Sequence, residues 1–535
     1  MSSGINRRDF LKAAGFASAF VGLSSLLSIF CATTDSTLYS ETYRPQFHFS
    51  SAQNYIWDPH CVFYDGEYHL LPLHNPTGNV LGNRHWGHAV SCDLIHWKQL
   101  PIAIGPDELG APKSGSVVVD WDNTAGFKTG STDVLVAIYT SHGTFVQSIA
   151  YSNDRGRTWT KYSGNPVLQN IIGHNRDPKV FWYEPTQKWI MVLYLGDNPG
   201  STDVFRLLSS SNLKQWTTTQ ETLLLPGSSE CPDFFELPVN GNPANRKWVF
   251  WGANGFYEIG SFNGTTFTSE AGPFISTENV KSPTFYAAQI WNDIPATDGR
   301  RIQIAWMRGG TYPDMPFNQQ MSIPCELTLR TFLDGVRLCR RPVRELECLR
   351  YNERTWINTV LNPGENLLSG VQGELLDIEA QIDPQNAAQV TLNLRGNDLV
   401  YDVAAKTLTC KGKTISVTSI RGEAKVKLRI LIDRASIEIF ANDGRESIFL
   451  CFPLDTENKS LSISTQGGQA LVNSLCVWDM RSAWSPLLGD LNGDCIVNFQ
   501  DFAQMMQNKA KKSRHSNSTC SKRYRYKCER TNERF

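Results

Sequence analysis

The chain has 535 residues, 51 Lys and Arg against 52 Asp and Glu, a formal net charge of −1 and 41% apolar residues. That balance excludes a wholly disordered chain, and 40 Gly with 26 Pro in no fixed period exclude a collagen-like one. The one charge asymmetry is the stretch 509–535, with ten Lys or Arg and two Glu, and it is too local to form the basic face of a nucleic-acid binder.

The chain opens on Asn6-Arg7-Arg8-Asp9-Phe10-Leu11-Lys12, followed by a mildly apolar stretch from Gly15 to Phe30. That stretch is shorter than the ~20 residues a membrane helix needs, so residues 1–34 read as a twin-arginine export signal and no membrane span is expected. The mature protein is then periplasmic, at the cell surface or extracellular. Thirteen Cys in no CxxC spacing suit buried packing residues better than a metal site.

From Tyr39 to Pro342 short apolar runs alternate with Gly, Asn, Asp and Pro, as in Val134-Leu135-Val136-Ala137-Ile138-Tyr139 and Ile302-Gln303-Ile304-Ala305-Trp306. No 3.6-residue period competes with them, and the half is all-β. Within it Ser91-x-Asp93-Leu94-x-x-Trp97 recurs as Ser210-x-Asn212-Leu213-x-x-Trp216, with Ser152-x-Asp154-x-Gly156-x-x-Trp159 between them. Asp93, Asp154 and Asn212 are 61 and 58 residues apart, a period that fits a five-bladed β-propeller over 39–342. The Asp or Asn tightens an outer hairpin and the Trp packs between blades. A linker is expected over 343–366 and a β-sandwich over 367–484, where apolar and polar residues alternate.

Three carboxylates stand directly ahead of apolar strands: Asp58 in Trp57-Asp58-Pro59, Asp177 in Asn175-Arg176-Asp177-Pro178 and Glu230 in Glu230-Cys231-Pro232-Asp233. On a propeller, equivalent strand starts point at the central channel, so acids in phase with the repeat converge there. Converging carboxylates suit glycosidic cleavage, in which one must be ionised and another must hold a proton. His85, His88 and His96 lie close in sequence, and packing or hydroxyl-binding roles are expected for them. Trp86 and Trp306 are candidate platforms for a sugar face.

Asp58, Arg176-Asp177 and Glu230-Cys231 resemble, in order and spacing, the three signatures of glycoside hydrolase family 32. Trp86-Gly87-His88, Ser114-Gly115-Ser116, Tyr286-Ala287-x-Gln289, Pro324-x-Glu326-Leu327 and the stretch Leu431–Phe440 add to the likeness. The resemblance implies a retaining double displacement on β-fructofuranosides such as levan, inulin or sucrose. Asp58 is then the nucleophile, Glu230 the acid and base, and Asp177 the residue that braces the sugar hydroxyls. Trp57, Trp86, Ser114, Ser116, Arg176 and Trp306 are expected at the substrate, and no cofactor is expected for catalysis. The chain departs from the family pattern at Trp57, Leu73, Leu81, Cys325 and Lys113, the last in place of an aromatic residue. These departures keep two alternatives open, a propeller glycosidase for another furanoside such as arabinose and a carbohydrate-binding propeller without turnover.

Near the C-terminus, Asp490, Asn492, Asp494, Asn498 and Asp501 place oxygen ligands at EF-hand spacing, with Ile496 supplying a carbonyl, so a structural Ca²⁺ is expected there. The segment 487–508 resembles one half of a dockerin, a module that docks onto a partner protein. The stretch 509–535 is expected to be a solvated basic tail.

Overall fold

Two of the three Ser-x-Asp/Asn motifs close their hairpins by the same bonds, and in the longer third Asp154 Oδ1 accepts from Ser152 Oγ and the Thr158 N–H. Ser91 Oγ donates to Asp93 Oδ1, which also accepts the backbone N–H groups of Ile95 and His96, and Asn212 Oδ1 does the same for Lys214 and Gln215. The tightness requires a left-handed residue after the Asp or Asn, and Leu94, Arg155 and Leu213 have φ of 69°, 60° and 61°. The three Trp indoles each donate back to a carbonyl three residues earlier, those of Leu94, Gly156 and Leu213. Trp97 then stacks on Trp291 with centroids 6.2 Å apart, which ties the outer hairpin of blade I to blade V, its neighbour across the ring closure.

The computed structural model describes residues 39–196, 204–278, 283–417 and 425–485. The expected export signal, the loop from Asp490 to Asp501 and the basic stretch 509–535 lie outside the described residues. Five antiparallel blades follow in chain order. Blade I is Cys61–Tyr64, Glu67–Leu70, His85–Ser91 and Lys98–Ile104. Blade II is Pro112–Asp120, Val134–Ser141, Gln147–Ser152 and Thr160–Lys161. Blade III is Arg176–Tyr183, Lys188–Tyr194, Val204–Ser210 and Thr217–Leu224. Blade IV is Asp233–Val239, Asn242–Trp251, Phe256–Phe262 and Phe267–Ile275. Blade V is Phe285–Ile290, Arg301–Met307, Cys325–Phe332 and Gly335–Pro342. The ring closes where Asn54–Trp57 pairs in parallel with Phe317–Asn318 and Val62 bridges Asn292.

Blades packed on both faces have strands buried throughout, as Val134–Ser141 is, which is why Val134 to Tyr139 reads as a continuous apolar run. The axis is filled by polar side chains that satisfy one another. Lys179 Nζ lies 3.0 Å from Asp233 Oδ1 with both side chains fully buried, and Asn292 Nδ2 donates to the Val117 and Val180 carbonyls. This plug ties the inner strands of blades II to V together.

The second half is a sandwich of a six-stranded and a five-stranded sheet. Its first strand is Arg350–Leu361, paired with Ala470–Met480, so half of the segment expected as linker is an edge strand of the sandwich. Only the 3₁₀ turn Arg344–Leu349 intervenes after blade V. The two halves share one core, in which Leu431, Phe440 and Phe449 pack with propeller residues and Phe449 meets Phe285 at 4.5 Å. Lys413 Nζ also crosses to the buried Glu278 at 2.6 Å, and the described ends clasp through Trp484 Nε1, which donates to Pro45 O at 2.6 Å.

Candidate active site

The inner strand of each blade begins at the same end of the ring, and there the ladder breaks. Register shifts fall between Pro112 and Gly115, between Arg176 and Lys179, and between Tyr286 and Gln289. Bulges of this kind re-aim the side chains that follow them. Asp177, Glu230, Cys231 and Ala287 have φ of 62°, 42°, 39° and 52°, each a left-handed conformation costing ~1–3 kcal/mol in a non-glycine residue. These four residues stand at the entries of blades III, IV and V.

In blade II the corresponding position is Gly115, where a Cβ would lie 2.0 Å from the Ile138 carbonyl oxygen. Gly115→Ala is therefore expected to force the first two strands of blade II apart, costing ~1–3 kcal/mol and moving the neighbouring Ser114. Thermal melting and fructoside hydrolysis of the variant should fall together, and an unchanged melt would refute the clash.

The three acids expected to converge do so. Ser114 Oγ donates to Asp58 Oδ2 at 2.6 Å. Cys231 Sγ lies 4.0 Å from Asp58 Oδ2 and 3.6 Å from Asp177 Oδ2, and the Cys231 N–H donates to Asp177 at 3.2 Å. Arg176 donates from Nε and Nη2 to Glu230 Oε2 at 3.0 and 2.9 Å, and Tyr286 Oη donates to Glu230 Oε1. Asp58, Ser114, Asp177 and Cys231 line a space of about 10 Å³, room for roughly one water.

These surroundings separate the proton affinities of the acids. Burial pushes Asp58 up to about 7, against the Ser114 bond and with help from the Asp177 and Glu230 charges. Burial also raises Asp177, partly offset by the Arg176 charge. Burial acts upward on Glu230 too, but the Arg176 charge and the bonds from Tyr286 and Arg176 outweigh it and hold this carboxyl below its ordinary value. Cys231 stays a neutral thiol, raised by burial and by all three carboxylates.

Several expected substrate contacts are placed otherwise. Trp57 is 4% exposed and packs edge-on to Tyr55 in the core. Trp86 is fully buried, stacked on His60 with centroids 3.9 Å apart and donating to Lys113 O, so it offers no platform for a sugar. Ser116 is fully buried and joins blades II and III, donating to Pro178 O and accepting from Val180 N. Trp306 is 7% exposed, with its indole N–H given to Gln319 and its ring edge-on to Tyr286. Ser114 and Arg176 do reach the acids. His88 is buried against His69, and His96 bonds Asp93 in its hairpin.

Sequence reasoning missed three neighbours of the acids. Tyr286 was seen only as part of a motif, yet it is bonded to Glu230. Arg308 stacks 3.7 Å above the Tyr286 ring. Tyr55, raised by burial and by the Asp58 charge to about 12, stands beside the first acid. Tyr286 stands on the first strand of blade V, Arg308 directly after its second and Tyr55 on the strand that closes the ring, and no local sequence signal says which acid each of them meets.

A five-bladed propeller with two carboxyls of opposed proton affinity and a third beside them defines a glycosidase. Residues 48–342 match the glycosyl hydrolases family 32 N-terminal domain and residues 345–479 the family's C-terminal domain, and the chain belongs to that family. It is 41% identical over 517 residues to a levanase of Bacillus subtilis, covering 87% of this chain and 74% of that one. It is 30% identical over 524 residues to an extracellular exo-inulinase of Aspergillus niger, covering 84% and 96%. Among solved structures, the exo-inulinase of Aspergillus awamori superposes with a TM-score of 0.74 at 27% identity, covering 83% of this chain and all of that one.

Proposed function

We propose that the protein is an exported, retaining β-fructofuranosidase that releases fructosyl units from levan, inulin or sucrose. The observation that carries the reading is the meeting of Asp58, Asp177 and Glu230 around Cys231. Asp58 attacks the anomeric carbon, aligned by Ser114, while Glu230 protonates the departing oxygen and then deprotonates the incoming water. Asp177 accepts hydroxyl hydrogen bonds that strengthen as the ring gains oxocarbenium character. Purified protein should yield fructose from all three substrates, levan being the fructan named for the Bacillus relative. Release from an arabinofuranoside panel alone would overturn the reading. The buried place of Trp57 speaks against one of the departures, beside Leu73 and Leu81, that favoured another furanoside.

The raised affinity of Asp58 and the lowered one of Glu230 put the last proton of this pair on Asp58, whereas the productive form carries it on Glu230. These are tautomers of one protonation state, so the pH limits belong to the site as a whole. The activity measure kcat/KM is expected to fall as pH rises through about 7, where that last proton leaves. Asp177→Asn removes a negative neighbour of Asp58, making ionisation easier, so the alkaline limb should move to lower pH. A limb that stays in place in the variant would show that Asp58 does not set it.

Export rests on the Arg7-Arg8 segment and the calcium loop on the spacing of Asp490, Asn492, Asp494, Asn498 and Asp501. N-terminal sequencing of secreted protein tests the first and Ca²⁺ titration by calorimetry the second. A docking partner for 487–508 follows only if the loop binds the ion. Catalysis is assigned no cofactor.

A further inference from the structure

Beside the acids stands a cation to which, among the described residues, no carboxylate is hydrogen-bonded. Lys113 directly precedes Ser114, the residue bonded to Asp58, and its own carbonyl is pinned by the Trp86 indole at 2.9 Å. Its ammonium lies 5.1 Å from the centre of the Phe145 ring. Among the described residues no side chain or carbonyl accepts a hydrogen bond from it, and burial with the nearby Arg176 and Arg84 charges makes it less basic against the opposing charges of Asp177 and Glu230.

Phe145 is held for this purpose at some expense. It has φ of 55°, an outlier for so large a side chain. The conformation is fixed by its N–H, given to Ser141 O at 2.9 Å, and by its carbonyl, which accepts from Asn175 Nδ2 at 2.8 Å. Its ring stacks on His174 at 4.5 Å, and the His174 carbonyl accepts from Arg176 Nη1 at 2.9 Å. A continuous wall therefore runs from Lys113 through Phe145 and His174 to Arg176, the residue that clamps Glu230. With Phe145 covered by His174, the ring positions the ammonium and is not itself a platform.

On the functional reading above, Glu230 delivers its proton to the oxygen of the leaving group. The wall that holds Glu230 is thus the wall the leaving group passes. We propose that Lys113 is a specificity-determining residue for the leaving group, its ammonium donating to hydroxyls of the sugar attached to the scissile fructosyl unit. A charged donor left without a protein acceptor at this place is suited to a polyhydroxyl partner that arrives with the substrate.

The test compares Lys113→Met and Lys113→Arg with the natural chain on sucrose, 1-kestose and methyl β-D-fructofuranoside. The first two lose a sugar and the third loses methanol, which has no further hydroxyl to bond. Lys113→Met should lower kcat/KM on sucrose and 1-kestose by ~10- to 100-fold, the range for a lost charged hydrogen bond, and leave the methyl glycoside within about twofold. Lys113→Arg should recover part of the loss. Phe145→Ala should follow Lys113→Met in the same substrate-dependent pattern. An equal fall on all three substrates would mean that Lys113 acts on the acids or the fold, and the proposal would fail, as it would if no substrate changed. If the natural chain cleaves none of the three, it is the β-fructofuranosidase reading that fails, a result distinct from either of these.

Discussion

Glu230→Gln should lower kcat/KM on sucrose by ~10²- to 10⁴-fold, the usual share of a general acid, and should lower kcat/KM on an aryl β-fructofuranoside far less. The reason lies in the leaving group: glucose departs as a poor anion unless it is protonated, whereas a phenolate leaves unaided. Gln keeps the volume of Glu and still accepts one bond from Arg176, which in the natural chain donates twice to Oε2. The fold should thus melt as before. Asp58→Asn should behave differently and remove turnover of both substrates, because no leaving group compensates for a missing nucleophile. Steady-state kinetics on the two substrates separate the roles. If Glu230→Gln lost activity equally on both, Glu230 would not be the proton donor, and if Asp58→Asn retained aryl cleavage, Asp58 would not be the nucleophile.

The acids were legible because the repeat carries them. Asp58, Asp177 and Glu230 sit at the same point of a unit of about sixty residues, ahead of the inner strand, and their convergence follows from the ring without any contact being known. Which partner meets which acid was not legible, for the opposite reason. Arg176 meets Glu230 across 54 residues of sequence and Tyr286 meets it across 56, and such pairs are set by which blade faces which. Trp86 and Trp57 misled because a propeller blade buries both faces. An aromatic residue flanked by His85 and Gly87 looks half-exposed in sequence, yet its ring lies wholly inside.

The strand Arg350–Leu361 misled in the other direction. Tyr351, Ile357 and Val360 are apolar and substantially exposed, at 44%, 57% and 42%. Its neighbours Asn352, Glu353, Arg354 and Thr355 give a polar run without a clean two-residue alternation, the signal that sequence reasoning needs. An edge strand pairs on one side only, so its composition is less constrained by burial than that of the strands within the sheet. The sandwich core was legible because Val426–Asp433 and Ser436–Ala441 are central strands with little solvent on them.

The largest stability effect is expected at the seam between propeller and sandwich, around His48. Asp433, fully buried, accepts from the N–H groups of Gln46 and Phe47 at 2.8 and 3.0 Å and lies 2.8 Å from His48 Nδ1. The other imidazole nitrogen faces Glu438 Oε1 at 3.7 Å, and that oxygen accepts from Ile323 N at 3.2 Å. Two buried carboxylates thus share one imidazolium, and three distant segments meet on it. Burial alone would strip the proton from His48, but the bonds to Asp433 and Glu438 prevail and raise it to about 9. Burial likewise acts to raise Asp433, and its bonds to His48, Phe47 and Gln46 instead hold it below its ordinary value. The signs follow. A raised histidine contributes its full stability below the unfolded value of roughly 6.5 and loses it as pH climbs through about 9. A depressed Asp433 contributes above roughly 3.9 and loses it on acidification. Resistance to urea should therefore be greatest between roughly pH 4 and 6.5 and decline from there to alkaline pH. His48→Gln leaves the two carboxylates without their cation and should cost ~3–5 kcal/mol at pH 6, with a much flatter dependence between pH 6 and 9. Urea midpoints of both chains at the two pH values decide it. Parallel pH slopes in the natural chain and the variant would show that His48 carries no proton at the seam.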